Sequence, residues 1–347
     1  MRTKGWLVAL VIVGLACGDD DGGSDAGVDA GEIDAGDDAS AIDAAGADAE
    51  RADTGTDRVP GCGRTTYPLG ASTEASIEHD GVTRTFRVHV PPSYDADAPT
   101  PLVLMFHGGF GSGRQLETGS GMSTVADREG FLAVYPDGTG SIRTWNGGGC
   151  CGSAVRDDVD DVGFVDALLD HLESELCVDR ARVFSSGMSN GGILSHRLAC
   201  ELSDRIAAIA PVAGTIMIDP CTPTRPVHVM QIHGTDDGHV PWEGGFGCGP
   251  SGADYTSVPD TLEAWRTRNA CDATTTETFA MGDGTCDGYE GCDDGGDTWL
   301  CAIEGGGHSW PGTPRDAELV ECPEDGAVST TFFASEAIWS FFSTRGR

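Results

Sequence analysis

The sequence predicts an α/β fold with a mainly parallel central sheet and helices on both faces. Short continuous apolar runs, such as PLVLMF at 101–106, have the length and composition of buried parallel strands. Amphipathic stretches with helical spacing lie between these runs. Strand and helix patterns therefore alternate along residues 59–347, as they do in proteins with a parallel sheet.

The strand candidates differ in their exposure pattern. TRTFRVHV at 83–90 alternates polar and apolar residues with period two, which is typical of a half-exposed edge strand. The other candidates are continuous apolar runs, which predict buried strands at 101–106, 131–136, 182–186, 206–211 and 227–234.

The clearest helix candidate is 161–176. Its apolar residues recur at i, i+3 and i+4, and Asp160 and Asp161 enrich its N-terminal end. Further helices are predicted at 190–201, 258–269 and 334–343. Ligand sites of such sheets lie beyond the carboxyl ends of the strands, so functional residues are expected there.

The first 58 residues have the composition of targeting and linker sequence. Arg2 and Lys4 precede a short apolar run, so residues 1–17 predict a signal peptide. Cys17 follows GLA and would carry a lipid anchor; a simple secretory signal is the alternative. Residues 18–58 are mostly Asp, Ala and Gly, which predicts a disordered linker. We expect an exported protein, extracellular or at the cell surface.

Charge restricts the partners of the remaining chain. The formal net charge is −35, and the acidic excess continues through residues 59–347. Such a charge argues against nucleic acid as a partner. The length of this part suits one domain, and we expect it to be a monomer.

Cysteine usage agrees with export. The chain has 13 cysteines, and the even number that remains without Cys17 favours disulfides over metal ligation. The pairing is left open by the sequence. The adjacent Cys150 and Cys151 join either each other or two different partners.

The stretch GMSNG at 187–191 lies between a predicted strand and a predicted helix. That context is the one in which a serine is presented on a sharp turn as a nucleophile, with glycines needed on both sides. Ser189 is the candidate nucleophile, and the Asn190 amide is a candidate donor to an oxyanion.

A serine hydroxyl needs a base, and the base needs a carboxylate to orient it. His308, in the glycine-rich stretch IEGGGHSWPG, is the last histidine of the chain and the candidate base. Asp236 and Asp237 both follow the predicted strand at 227–234, and either could orient it. The order Ser, Asp, His is the one that α/β-hydrolases use.

The stretch HGGFGSG at 107–113 supplies the second oxyanion donor. It follows the predicted strand at 101–106 and is similar to the His-Gly-Gly loops of lipases and esterases. The Gly109 amide is the first candidate and the Phe110 amide the second. His107 is interpreted as structural rather than catalytic.

Several motifs together resemble the secreted polyhydroxybutyrate depolymerase and feruloyl esterase group of α/β-hydrolases, related to carbohydrate esterase family one. They include WNGGGCCG at 145–152, RVFSSGMSNGG at 182–192, HGTDDGHVPWEGG at 233–245 and GGGHSWPG at 305–312. The resemblance covers roughly residues 75–345 and implies an α/β-hydrolase fold without a metal or organic cofactor.

The resemblance also implies roles for single residues. Ser189 would be the nucleophile, His308 the base, and Asp237 the acid, because the family form is His-Gly-Thr-x-Asp. Gly109 and Asn190 carry over as oxyanion amides. Substrate contacts are expected from Phe110 and from two tryptophans near the site that we expect to be exposed, Trp145 and Trp310.

The implied activity is that of a serine carboxylic-ester hydrolase. Feruloyl or acetyl esters of plant polysaccharide are the expected substrates, and hydroxybutyrate polyester is the alternative. A non-catalytic binding lipoprotein on the same fold is a third interpretation. Residues 283–294 suggest a calcium loop, with Asp283 and Asp287 at loop-like spacing and Asp294 at the twelfth position. A disulfide-pinned acidic surface loop is the preferred interpretation.

Overall fold

The computed structural model describes residues 59–293, 295–313 and 322–347. The signal peptide, Cys17 and the linker predicted within residues 1–58 lie outside these ranges. Among the described residues, no helix is both long and apolar enough to cross a membrane.

The described residues form twelve strands and seven helices. The strands are β1 (Ala71–His79), β2 (Val82–Val90), β3 (Thr100–Phe106), β4 (Leu132–Pro136), β5 (Val178–Met188), β6 (Ala208–Val212), β7 (His228–Gly234), β8 (Gly245–Phe246), β9 (Asp254–Tyr255), β10 (Thr275–Met281), β11 (Gly284–Tyr289) and β12 (Thr298–Ile303). The helices are α1 (Gly113–Ser120), α2 (Met122–Glu129), α3 (Gly152–Arg156), α4 (Asp161–Glu175), α5 (Asn190–Glu201), α6 (Val258–Arg268) and α7 (Ala334–Phe342).

Ten of these strands form one sheet, in the order β1-β2-β4-β3-β5-β6-β7-β12-β11-β10. The run from β4 to β12 is parallel throughout, and the strands outside it pair antiparallel. β8 and β9 form a separate small ribbon. The predicted mainly parallel α/β sheet is confirmed.

The central strands of the sheet are buried because helices cover both of its faces. Along β3, Leu102 and Leu104 pack into one apolar cluster, while Val103 and Met105 pack into another, since successive side chains of a strand point to opposite faces. The first cluster includes buried residues of α4, α5 and α6. The second includes residues of α1, α2 and α7.

Two local predictions were wrong. The strand predicted at 83–90 is not at an edge, because β1 pairs along its whole length and β4 along its other side. The stretch from 283 is not one surface loop, because Gly284–Tyr289 forms β11, which pairs with β10 and β12; disulfides do hold it, through Cys286 and Cys292. Asp287 therefore lies in a strand, which excludes a calcium loop there; Asp294 lies outside the described residues.

The twelve cysteines of the described ranges form disulfides, as the sequence suggests. The pairs are Cys62–Cys177, Cys150–Cys151, Cys200–Cys221, Cys248–Cys322, Cys271–Cys292 and Cys286–Cys301. The adjacent cysteines thus join each other. The Cys248–Cys322 bond connects the chain after β7 with the chain after β12.

Candidate active site

Ser189 lies on a sharp turn between β5 and α5. Its φ of 54° and ψ of −119° place it in a backbone region that residues with a side chain rarely adopt. The turn is held because the Ser189 N–H donates to the Val212 carbonyl at 2.8 Å and the Ser189 carbonyl accepts from the Ile193 N–H at 2.9 Å. The serine therefore sits at the N-terminus of α5, beyond the carboxyl end of a central strand.

The glycines around Ser189 are required by close backbone contacts. A Cβ atom on Gly191 would lie 2.0 Å from the Phe106 carbonyl oxygen, and one on Gly187 would lie 2.6 Å from the same oxygen. Both distances are far below van der Waals contact. The turn packs against the end of β3, so only glycine fits at positions 187 and 191, two residues before and two after the serine.

Asp237 and His308 form a hydrogen-bonded pair. The His308 Nδ1 lies 2.8 Å from Asp237 Oδ2, and the carboxylate is completely buried. The other oxygen, Oδ1, accepts from the His239 N–H at 2.9 Å and the Val240 N–H at 2.8 Å. Asp236, the other candidate, is exposed. A carboxylate held in this way fixes the imidazole with Nδ1 protonated and leaves Nε2 to act as a base.

Electrostatics favour the ionised form of Asp237. Burial by itself would raise the pKa of this carboxyl, but the charge of His308 and its hydrogen bond outweigh burial and lower the pKa below its usual value. His233 lies 3.4 Å from Asp237 Oδ2 and is also buried. Burial lowers the pKa of His233, so this ring stays neutral and donates from Nε2 to the Val240 carbonyl at 2.8 Å.

His107 holds the loop that carries Gly109. Its Nδ1 donates to the Gly108 carbonyl at 2.7 Å, and its Nε2 accepts from the Gly138 N–H at 2.9 Å. Burial lowers the pKa of His107 to about 4, which keeps the ring neutral. With both nitrogens engaged, His107 has a structural role, in line with its interpretation from the sequence.

The two candidate amides in this loop differ. The Phe110 N–H donates to the Arg143 carbonyl at 3.0 Å, so it is not free to bind an oxyanion. A Cβ on the neighbouring Gly108 would lie 3.4 Å from the Ser189 Cβ, which brings this loop against the serine. The first N–H groups of α5, starting with Asn190, have no partner inside the helix. The N–H groups of Gly109 and Asn190 therefore remain the candidate donors to an oxyanion.

The expected exposure of Trp145 and Trp310 was wrong. Trp145 is fully buried, packs edge-on against Phe106 at a centroid distance of 5.3 Å, and donates from Nε1 to the His107 carbonyl at 2.9 Å. Trp310 is 7% exposed and donates from Nε1 to Ser335 Oγ. Neither indole offers an open face for stacking. Phe110, at 41% exposed, does.

Sequence reasoning missed two contributions to the site. The Asn190 side chain clamps the backbone of Trp145, since its Oδ1 accepts from the Trp145 N–H at 2.7 Å and its Nδ2 donates to the Trp145 carbonyl at 2.9 Å. Asp325 accepts from the His308 N–H at 2.8 Å. The Asn190 role could have been suspected from its place in the motif, but no sequence signal marks Asp325.

Comparison with known proteins shows the family of the chain. The family model described as Esterase PHB depolymerase matches residues 85–239, which include Ser189 and Asp237. Feruloyl esterase B of Piromyces equi is 32% identical over 231 residues, which are 64% of this chain and 42% of that protein. The chain thus spans less than half the length of that relative.

Two further similarities bear on family and fold. The putative esterase NocK of Nocardia uniformis subsp. tsuyamanensis is 31% identical over 67% of this chain and 72% of its own length. The solved acetyl xylan esterase from Aspergillus awamori matches with a TM-score of 0.54 at 15% identity, covering 69% of this chain and 94% of that one, which supports the fold alone. The chain belongs to the Esterase PHB depolymerase family, within the polyhydroxybutyrate depolymerase and feruloyl esterase group of α/β-hydrolases.

Proposed function

We propose that this protein is a secreted serine esterase that cleaves feruloyl or acetyl esters of plant polysaccharide. The observation that carries the proposal is the buried Asp237 carboxylate bonded to His308, in a fold that presents Ser189 on a strained turn at the head of α5. A carboxylate, an imidazole and a serine in that chain order are the parts that acyl transfer requires.

The reaction begins when Ser189 Oγ bonds to the ester carbonyl carbon while its proton passes to His308 Nε2. The carbonyl oxygen becomes an oxyanion, which the Gly109 and Asn190 amides stabilise by donating hydrogen bonds. His308 then returns the proton to the alcohol oxygen as the carbon–oxygen bond breaks, which leaves an acyl-enzyme. Water repeats the sequence and releases the carboxylic acid.

The names of relatives support the polysaccharide ester as substrate. Relatives include feruloyl esterase B of Piromyces equi, and the bifunctional acetylxylan esterase/xylanase XynS20E of Neocallimastix patriciarum is 30% identical over 45% of this chain. The family description itself supports the second candidate, a hydroxybutyrate ester. The acidic net charge of the chain favours a neutral over an anionic polymer as substrate.

A substrate panel tests the proposal. kcat/KM is measured for methyl ferulate, p-nitrophenyl acetate, acetylated xylan and hydroxybutyrate oligomers, with Ser189→Ala as the control. We expect methyl ferulate or acetylated xylan to give the highest value and Ser189→Ala to lose at least about 10³-fold. Highest kcat/KM on hydroxybutyrate oligomers would replace the polysaccharide proposal with the polyester one.

Phe110 provides a sharper test of ring recognition. Phe110→Ala removes the exposed ring beside Gly109, so KM for methyl ferulate should rise about 5–10-fold, as expected for about 1 kcal/mol or more of lost aromatic contact. KM for p-nitrophenyl acetate should change less. Leu69→Ala, at a similarly exposed position before β1, is the control and should change neither. Equal effects of Phe110→Ala on both substrates would contradict a feruloyl-binding role.

A further inference from the structure

A short segment after β12 connects the two loops that carry Asp237 and His308. We call residues 322–327 the bridging segment. The Gly326 N–H donates to the Asp236 carbonyl at 2.9 Å, and the Ala327 N–H donates to the Gly305 carbonyl at 3.0 Å. One end of the segment thus bonds to the aspartate loop and the histidine loop through its backbone alone.

Asp325 lies inside this segment and bonds to both loops through one oxygen. Its Oδ1 accepts from the His308 N–H at 2.8 Å and from the Gly238 N–H at 2.9 Å. Gly238 directly follows Asp237. The side chain of Asp325 is 1% exposed, so water does not compete for these bonds. A single carboxylate oxygen therefore fixes the backbone of His308 relative to the backbone next to Asp237, its hydrogen-bond partner.

The second oxygen of Asp325 faces a ring that contacts His308. His239 Nδ1 lies 3.7 Å from Asp325 Oδ2. The His239 ring stacks on the His308 ring, with centroids 4.8 Å apart and planes at 21°. The His239 N–H donates to Asp237 Oδ1. Asp325 thus holds the backbone of His308, and it also faces the His239 ring, which stacks on the flat side of the His308 imidazole.

A disulfide holds the other end of the bridging segment. Cys322 is bonded to Cys248, and the Cys248 N–H donates to the Gly238 carbonyl at 2.9 Å. Gly238 is therefore bonded from both directions, by Cys248 at its carbonyl and by Asp325 at its N–H. This arrangement leaves the aspartate loop little freedom to move away from the histidine loop.

We propose that Asp325 is a positioning residue that sets the geometry of the Asp237–His308 pair. The inference rests on the proposed esterase function, because it assigns Asp325 a role through the base of that reaction. Catalytic groups must be held within about 0.5 Å of their productive positions, and a displacement of about 1 Å costs on the order of 10²-fold in rate. Asp325 touches neither substrate nor the reacting atoms in this scheme.

Two substitutions separate the hydrogen bonds of Asp325 from its charge. Asp325→Ala removes the acceptor, and kcat should fall about 10–100-fold while KM stays within about threefold, because positioning affects the chemical step more than binding. Asp325→Asn keeps an amide oxygen that can accept from both N–H groups, and it should retain kcat within about fivefold. Equal, wild-type kcat in both variants would overturn the proposal, as would equal losses in both.

If Asp325→Ala does not fold, the double variant Cys248→Ala with Cys322→Ala provides the test. It releases the far end of the bridging segment and leaves every group of the reaction in place. Its kcat should fall at least about threefold at unchanged KM, measured at a temperature where circular dichroism shows it folded. Unchanged kcat in that folded variant would overturn the proposal.

A spectroscopic readout keeps this inference separate from the proposed function. The proton between His308 Nδ1 and Asp237 should give a downfield proton resonance in the wild type, identified by its absence in Asp237→Asn. We expect Asp325→Ala to lose or broaden this resonance and Asp325→Asn to keep it. Retention in folded Asp325→Ala would overturn positioning whether or not any ester is hydrolysed. Absence of Ser189-dependent hydrolysis in the wild type would instead refute the esterase proposal.

Discussion

Asp237→Asn is the perturbation whose effect follows most directly from the site geometry. Asp237 uses one oxygen for His308 and the other for two backbone N–H groups, at 2.9 and 2.8 Å. An asparagine has a single oxygen. If that oxygen keeps the two backbone bonds, its NH₂ group faces His308 Nδ1, and two donors cannot share a hydrogen bond. The imidazole must then protonate Nε2 instead, which prevents it from accepting the Ser189 proton.

The alternative orientation of the amide is also unfavourable. Turning the oxygen toward His308 leaves the His239 and Val240 N–H groups facing an NH₂ group in a fully buried position. Leaving such groups unpaired costs about 1–3 kcal/mol each. The wrong tautomer therefore dominates. In other serine hydrolases this substitution lowers kcat about 10⁴-fold, and we expect a loss of about 10³–10⁴-fold here, or about 4–5.5 kcal/mol in the barrier.

The assay is kcat/KM on p-nitrophenyl acetate at pH 7, with Asp236→Asn as the matched control. Asp236 is exposed and adjacent in sequence, so its substitution should change kcat/KM by no more than about twofold. Folding of both variants is checked by thermal unfolding. A folded Asp237→Asn protein that keeps more than a tenth of wild-type kcat/KM would refute the assignment of Asp237 as the orienting carboxylate.

Two further predictions concern stability. Gly191→Ala places a Cβ 2.0 Å from the Phe106 carbonyl oxygen and should lower the free energy of unfolding, measured by urea titration, by about 3 kcal/mol or more. The control is Gly119→Ala, whose Cβ would meet no atom within 4 Å and which should be neutral or slightly stabilising. Equal effects of the two substitutions would contradict the close contact at the turn. The pKa of His107 and of His196 is lowered by burial to about 4, while an unfolded histidine titrates near 6.5. The unfolded chain therefore binds more protons between these values, and stability present above about pH 6.5 is lost as pH falls toward 4. Between pH 7 and 5 the free energy of unfolding should fall by about 2 kcal/mol for each of these histidines. His196→Gln should make that fall smaller. A pH dependence that His196→Gln leaves unchanged would contradict the burial of His196 as a neutral ring.

The central sheet was predictable because its strands carry local signals. The stretch 101–106 is continuously apolar, and it forms β3, buried on both faces by helices. The hairpin of β10 and β11 was not predictable in the same way. The edge strand β10, TTETFAM, is mostly exposed and largely polar, and its neighbour β11, GTCDGY, is short and carries few apolar residues. Polar edge strands lack the apolar periodicity on which the prediction depends.

Within the candidate site, the sequence motifs name the proposed catalytic residues but not the residues that hold them in place. Ser189 could be located because its strand, turn and helix are contiguous in sequence. Trp145 was predicted to be exposed because the glycines after it suggest an open loop. Its ring is instead buried and donates from Nε1 to the His107 carbonyl. Asp325 lies 17 positions after His308, outside any helix or strand. Its segment is joined to the aspartate loop by the Cys248–Cys322 bond, and disulfide pairing cannot be derived from sequence.

The central claim is that Ser189 is a nucleophile activated by His308 and Asp237. The most direct measurement is labelling with a fluorophosphonate, which reacts with activated serines, followed by peptide mass spectrometry. We predict one phosphonate per protein, on Ser189, and no labelling of folded Ser189→Ala. A wild-type protein that remains unlabelled, or that is labelled at another serine, would contradict the claim and would favour a binding protein built on the hydrolase fold.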